Sequence, residues 1–366
     1  MVRIGFAIDG LVPSLGQMIA GRSSLLSIIR GCHSYSSIGI MRYGWIADAV
    51  NSTETYGIHY ELYRPFRKYD AVVFLKSMNR ECVALCKKLN AKGIKTIFDL
   101  NVDYVTPAQG VEFYKDMMPT SKLRAQAMEM ISLCSAVICD SSHIHNSVKN
   151  LSRMSQTLTD NIRDDLIKPN GVYAQNEKVR VVWCGQACKA FELLAIKDVL
   201  LKYSNKIDLV LVTGPRSQMD RIYEPYRSEL YSMLNRLGAI IIPYENVEHL
   251  MRVYDQGGVF ISPRFLDNTY NMGHTEWKIT LPMARGLFVV CSEQPSYSEV
   301  AEKTGGNGIR ICHGPGDWDA ALGELISKPS NVSFDKEFTT GVIRSAYSTS
   351  VVARKHSEFI KKVLNA

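Results

Sequence analysis

The 366-residue chain has no run of about eighteen apolar residues, so no segment reads as a membrane-spanning helix. Its first ten residues, MVRIGFAIDG, are too short and too soon polar for a secretory leader and read as a strand. Nine cysteines are present but none stands in a CxxC pair, which argues against a zinc knuckle or a disulfide framework. Free thiols in a reducing cytoplasm are expected. Three loop signatures are absent as well. Without GxGxxG after the first strand a dinucleotide-binding dehydrogenase is disfavoured, and GxxxxGK[ST] is missing. Without a GxSxG elbow a Ser–His–Asp hydrolase is disfavoured. There are no repeats and no low-complexity tracts.

What remains is a globular composition, 46% apolar and 22% charged, with a net charge of +7. That mild excess suits an anionic partner such as a nucleotide, a lipid surface or DNA, and equally suits solubility alone. Short apolar runs alternate with helical patterns, the signature of an open parallel α/β sheet. Strands are expected at 4–8, 70–77, 95–101, 136–142 and 155–162, with helices near 80–93 and 122–134 between them. A polar stretch at 163–178, with Pro169, Asn170 and Gly171, reads as a linker. A second series follows, with strands at 179–185, 206–214, 239–245, 257–263 and 286–292 and helices near 191–203 and 224–238. Residues 350–364 carry apolar side chains at amphipathic helix spacing. The expected division is a first domain at 1–165, a second at 166–345 and a terminal helix in 346–366.

Two α/β halves imply a cleft, and open parallel sheets bind ligands beyond the carboxyl ends of their strands. Chemistry is therefore expected in the loops after those ends. In WCGQACKAFELL a strand ends at Gly185 and a helix is expected from near Lys189. A glycine permits close backbone approach, and a helix N-terminus with a lysine suits a phosphate. The longer loop SPRFLDNTYNMGHTEWK offers Asn271, Gly273, His274, Thr275, Glu276 and Lys278, the right groups for a diphosphate and a sugar. A surface loop with Lys278 in a salt bridge is the plainer alternative. Loops at 214–217 and 244–247 add Gly214, Tyr244, Glu245 and Asn246. In the first half, the loop at 9–24 supplies Gly16 and Arg22, and Asp99 and Asp103 end a strand. Asp103 is a candidate acceptor-binding or base residue, or a turn cap. Arg42, Arg64, Arg67 and Lys68 form either a basic acceptor face or a solvated one. His143 and His145 would share a side of a strand, but no further ligand completes a metal site.

The stretch NMGHTEWKITLPMARGLFVVCSEQPSYSEV, residues 271–300, resembles the C-terminal signature of two-domain GT-B glycosyltransferases, especially the retaining family-four type. VVWCGQACKAFELL resembles that family's strand and donor-phosphate helix, and IPYENVEHLMRVYDQGGVFISP the stretch whose loop meets the nucleobase. GGNGIRICHGPGDWDAALGELI resembles the segment after the signature, so the likeness runs over most of residues 130–330. It implies a GT-B fold of two Rossmann-like domains and transfer from a UDP- or GDP-type sugar donor without metal or cofactor. It also implies retention of configuration and a glycan or lipid-linked hydroxyl acceptor. Lys278 and Lys189 would stabilise the leaving diphosphate, and Gly16 would approach the donor. The family's ribose-binding acid falls on Leu281, so either Glu276 or Glu299 replaces it, or the ribose is held by backbone, or the donor differs. Its phosphate-binding Arg is Gln186, its second Gly is Ala190 and its signature Pro is Phe288. A binding-only descendant is the main alternative. A GT-B epimerase or phosphorylase, and a transferase acting on modified DNA, are others. Oligomeric state is not legible, and the chain is expected in the cytoplasm, free or peripheral to a membrane.

Overall fold

A computed structural model describes residues 1–8, 39–169, 178–327 and 334–366. The loop at 9–24, with Gly16 and Arg22, and the later part of the expected linker lie outside them.

The first sheet is built from β1 (Val2–Ile8), β2 (Ile58–Leu62), β3 (Ala71–Leu75), β4 (Lys95–Leu100), β5 (Ala136–Cys139) and β6 (Ser155–Thr157). Its order is β2-β1-β3-β4-β5-β6 and every pairing is parallel. All five residues of β3 are buried, as a strand covered by helices on both faces requires. Helix α1 (Ile46–Asn51) follows a π-helical turn at Ile40–Trp45. Helices α2 (Arg80–Asn90), α3 (Ser121–Leu133) and α4 (Ser142–Val148) each start on a side-chain cap, from Asn79, Thr120 and Ser141. Gly93, at φ +73°, ends the turn after α2 in the left-handed region that glycine enters at least cost.

The second sheet holds β7 (Val179–Gly185), β8 (Ile207–Thr213), β9 (Ile240–Pro243), β10 (Val259–Ser262), β11 (Phe288–Ser292) and β12 (Ile309–Cys312). The order is β12-β11-β10-β7-β8-β9, again all parallel. Its helices are α5 (Lys197–Lys202), α6 (Tyr226–Arg236), α7 (Val247–Asp255), α8 (Thr269–Met272), α9 (Trp277–Met283), α10 (Pro295–Thr304), α11 (Pro315–Ser327) and α12 (Lys336–Tyr347). The last helix, α13 (Thr349–Asn365), returns to the first domain. Its Val352, Phe359, Ile360 and Val363 are buried in one cluster with Ile4, Phe6 and Ile8. The Tyr60 hydroxyl sits 2.8 Å from His356 Nδ1. No helix of the described residues is long and apolar enough to cross a membrane. All eight cysteines among them are free.

Strands β2 and β12 have no counterpart among the expected strands, and three further features depart from the sequence expectation. The strand expected over 155–162 ends at Thr157. Beyond it the chain crosses between domains beside residues 348–349, with Thr349 N donating to Ile162 O at 2.8 Å and Thr349 Oγ1 to Asn161 Oδ1 at 2.6 Å. Its hydrogen bonds go to this second crossing rather than to the sheet. The helix expected at 191–203 begins at Ala187 and winds as 3₁₀ to Ile196 before turning α. Finally, residues 109–114 of the expected first domain dock on the second. Phe113 stacks on Phe191 and Phe265 at 4.3 and 4.5 Å, and Tyr114 forms a bridge to Ile222. Gly110, at φ +93°, permits this: a Cβ there would lie 2.5 Å from Asp267 O.

Phe359→Ala removes a fully buried ring from the core that α13 completes. We expect a loss of about 3–5 kcal/mol in urea unfolding, whereas a change near zero would mean that the helix is not part of that core.

Candidate functional site

The carboxyl ends of the two sheets face one cavity of about 440 Å³. Gly185 is where β7 must stop carrying side chains, because a Cβ there would sit 2.8 Å from the Trp183 ring. The 3₁₀ segment that follows has three residues per turn, so Lys189 and Glu192 stand on one face. In an α-helix the same pair would be splayed by roughly 60°.

Three cations meet at that face. Glu192, 1% exposed, accepts hydrogen bonds from Arg264 and, at 3.2 Å, from Lys278 Nζ. Lys278 lies 4.6 Å from the Trp183 ring centroid. Arg264 also donates to the Tyr297 hydroxyl at 3.1 Å. Lys189 Nζ is 2.8 Å from His274 Nε2 and 5.1 Å from the Tyr270 ring.

The electrostatics follow from this crowding. Burial works to raise the Glu192 carboxyl, but Arg264, Lys278 and Lys189 outweigh it and hold it below the usual range. Burial lowers the Lys278 ammonium to about 8, with Arg264 adding to the effect and Glu192 opposing it. Burial, then Lys189, Arg264 and Lys278, hold His274 far below its ordinary value. His274 is therefore neutral, and its Nε2 accepts from Lys189 with the ring hydrogen assigned to Nδ1. On this wall of the cavity one carboxylate, Glu192, stands beside three cations. Partly desolvated positive charge is costly, and an entering anion relieves it.

The residues singled out from sequence divide into two groups. Lys189, Lys278, Gly185, Gln186, His274 and Thr275 line this one cavity. Leu281 lines it too, so the position of the missing family acid is an apolar part of the wall. Glu276 is 3% exposed, and among the described residues one of its oxygens has no hydrogen-bond partner. Asn271 and Gly273 build the loop. Asn271 Nδ2 donates to Phe265 O at 3.0 Å, and a Cβ on Gly273 would lie 2.9 Å from Asp103 Cβ.

The others sit elsewhere. Asp103 is not in the cavity lining and closes a turn. Its Oδ1 accepts from the amides of Val105 and Thr106 at 2.9 Å, and its Oδ2 from Thr106 Oγ1 at 2.6 Å. Gly214 packs on Gln218 at the end of β8, Tyr244 and Glu245 are exposed, and Asn246 caps α7. None of these lines the cavity. Glu299, on α10, accepts from Ser142 across the domain boundary and also lies outside the lining. His143 and His145 fall on helix α4 rather than a strand, so they point in different directions. Among the described residues no cluster of three His, Cys, Asp or Glu could hold a metal. Arg42 is not a surface cation. It is 3% exposed and bonded to Asp99 and Asp160 at 3.0 Å. Arg67 and Lys68 are exposed and Arg64 half-buried, away from the cavity.

Sequence reasoning missed Arg264 and Glu192. Arg264 directly follows the 257–263 strand, a signal that was available. Glu192 read as one more residue of an amphipathic helix, and only the 3₁₀ winding turns it onto the lysine face.

Comparison with known proteins places the fold. No family model and no curated protein matches the chain. Solved structures do match over nearly its whole length. Anabaena HepE, in complex with UDP and glucose, is 11% identical over 99% of both chains, with a TM-score of 0.65. Sucrose-phosphate synthase from Thermosynechococcus elongatus is 10% identical over 100% of both, with a TM-score of 0.68. A UDP-forming α,α-trehalose-phosphate synthase from Burkholderia xenovorans is 11% identical over 96% of this chain and 86% of its own, with a TM-score of 0.60. The chain thus has the GT-B architecture, two parallel six-stranded sheets opposed across a cleft.

Glu276 gives a test of the electrostatics. Burial raises its carboxyl to about 8, with Asp160 and Glu299 contributing. The unfolded chain ionises near ~4.3, so between that pH and 8 the folded state binds the extra proton and loses stability as pH rises. Glu276→Gln should therefore raise Tm at pH 8 and leave it unchanged near pH 4. An equal shift at both pH values would refute the assignment.

Proposed function

We propose that the chain is a glycosyltransferase that moves a sugar from a nucleotide-diphosphate donor to a hydroxyl acceptor. The observation that carries this reading is the convergence of Lys189, Arg264 and Lys278 on one interdomain cavity. A diphosphate supplies the anion this cluster lacks. The complexes of HepE with UDP and with UDP-glucose support a uridine donor over a guanosine one. The acceptor is a glycan or a lipid-linked sugar, and the reaction runs in the cytoplasm.

The chemistry asks little of the protein beyond placed charge. The bond from the anomeric carbon to the diphosphate oxygen breaks, and negative charge grows on that oxygen. Lys278 and Lys189 stabilise it, with the amides at the start of the 3₁₀ segment adding partial charge. No divalent cation is required, because the ammonium groups take that role. In the retaining course the acceptor oxygen bonds to the anomeric carbon on the face the diphosphate leaves, and its proton passes to the departing phosphate oxygen. Docking of residues 109–114 on the second domain keeps the cleft narrow and limits access of water to the donor.

A second reading is favoured by Leu281, which cannot accept hydrogen bonds from ribose hydroxyls. On that reading the protein holds the nucleotide sugar without turning it over. Mass-spectrometric detection of hydrolysed or transferred sugar from UDP-glucose separates the two.

Lys278→Met should lower turnover about 10²- to 10³-fold while Tm stays within a few degrees. The ammonium is destabilised by its surroundings, so its loss does not weaken the fold. Unchanged turnover in a folded variant would remove Lys278 from the mechanism.

A further inference from the structure

The two walls of the cavity differ in kind. On the second domain they present hydrogen-bond donors: the Lys189 and Lys278 ammonium groups and the Arg264 guanidinium. On the first domain they present mostly oxygens, with the Lys76 ammonium among them. Asp140, directly after β5, is 1% exposed, and among the described residues neither of its carboxyl oxygens has a hydrogen-bond partner. Asn101, directly after β4, is 8% exposed, and among the described residues its Oδ1 has none either. β4 and β5 are hydrogen-bonded neighbours, and both residues line the cavity at the sheet's carboxyl edge. Asp160 lines it beside them, but its oxygens are taken by Arg42 and Thr275. Lys76 and Asp116 complete the charged part of this wall.

A buried carboxyl with both oxygens unsatisfied costs free energy that a purely structural residue would not retain. We infer that Asp140, with Asn101 beside it, is the subsite that grips hydroxyl groups of the acceptor. This rests on the glycosyl-transfer reading, which fixes the diphosphate on the opposite wall. A hydroxyl both gives and takes a hydrogen bond, so it satisfies a carboxyl in either protonation state. That matters because burial, with Asp160, Glu276 and Asp99 adding to it and Arg42 opposing, raises the Asp140 carboxyl well above its ordinary range. Vicinal hydroxyls of a sugar ring can bridge two acceptors on adjacent strand ends. The acceptor is thus read through its hydroxyls by Asp140 and Asn101, positioning residues that act by holding the attacking group.

The test uses Asp140→Leu and the conservative Asp140→Asn in the full chain. Three measurements are made: Tm, UDP affinity by calorimetry, and saturation-transfer NMR of glucose and maltose with and without UDP. In wild type both sugars should show transfer. Asp140→Leu should abolish it and Asp140→Asn should retain part. UDP affinity should stay within about twofold in both variants, because the walls are independent sites. Tm of Asp140→Leu should equal or exceed wild type. A fall beyond about 5 °C would assign the carboxyl a structural partner and overturn the proposal. Undiminished sugar transfer in Asp140→Leu, or no sugar signal on wild type, would overturn it too. Failure of wild type to bind UDP would strike the donor reading instead, while the Tm and sugar measurements still decide this one.

Discussion

A surplus of buried positive charge between two opposed sheets is the constraint on which the rest of the structure turns. Arg264 and Lys278 share one carboxylate, Glu192, whose charge Lys189 also feels. Each side chain is brought there by a different element: the 3₁₀ segment after β7, the loop after β10 and helix α9. Parallel sheets make this possible, since all their strands release their loops at the same edge. Neutral His274 lets a lysine approach it closely without adding another charge. Trp183 offers its ring face to the Lys278 ammonium, which softens the loss of water. The site stores unfavourable electrostatics that an anion relieves.

The opposite wall obeys the complementary rule. Asp99 and Asp160 both pair with Arg42, which also donates to Leu158 O at 3.1 Å. That buried triad ties the first sheet to the interdomain crossing. Thr275 Oγ1 donates to Asp160 Oδ2 at 3.0 Å, so the same carboxylate meets the loop that carries Lys278. The geometry of the cationic wall therefore depends on a polar lock in the first domain, while the stacked rings of Phe113, Phe191 and Phe265 dock residues 109–114 on the second.

Much of this was legible in the sequence, for identifiable reasons. Strands covered on both faces read as unbroken apolar runs, so β3, β4, β8 and β11 fell where expected. Lys189 stood out as a lysine a few residues past a buried strand, and Lys278 as one shortly before a small-residue helix end and a buried strand. The Arg42 triad was not legible, since its partners lie 57 and 118 residues away. Asp103 stayed open between an acceptor-binding or base residue and a turn cap because nothing in FDLNVDYV separates a catalytic carboxylate from one that closes a turn. The docking of Phe113 and Tyr114 was hidden in a stretch whose composition reads as loop. The pairing of Glu192 with Lys278 depended on 3₁₀ winding, which no side-chain period announces.

The central claim is that the cationic cluster awaits a diphosphate, and proton linkage tests it most directly. Near pH 8.5 Lys278, lowered to about 8 by burial, is largely deprotonated, while the terminal phosphate of UDP, with a pKa near ~6, is already fully ionised. Binding should therefore draw a proton onto Lys278. Calorimetry of UDP binding at pH 8.5, in two buffers of different ionisation enthalpy, should show net proton uptake. Lys278→Met should abolish that uptake. Binding without proton uptake, or uptake that persists in the variant, would place the diphosphate away from this cluster and contradict the account.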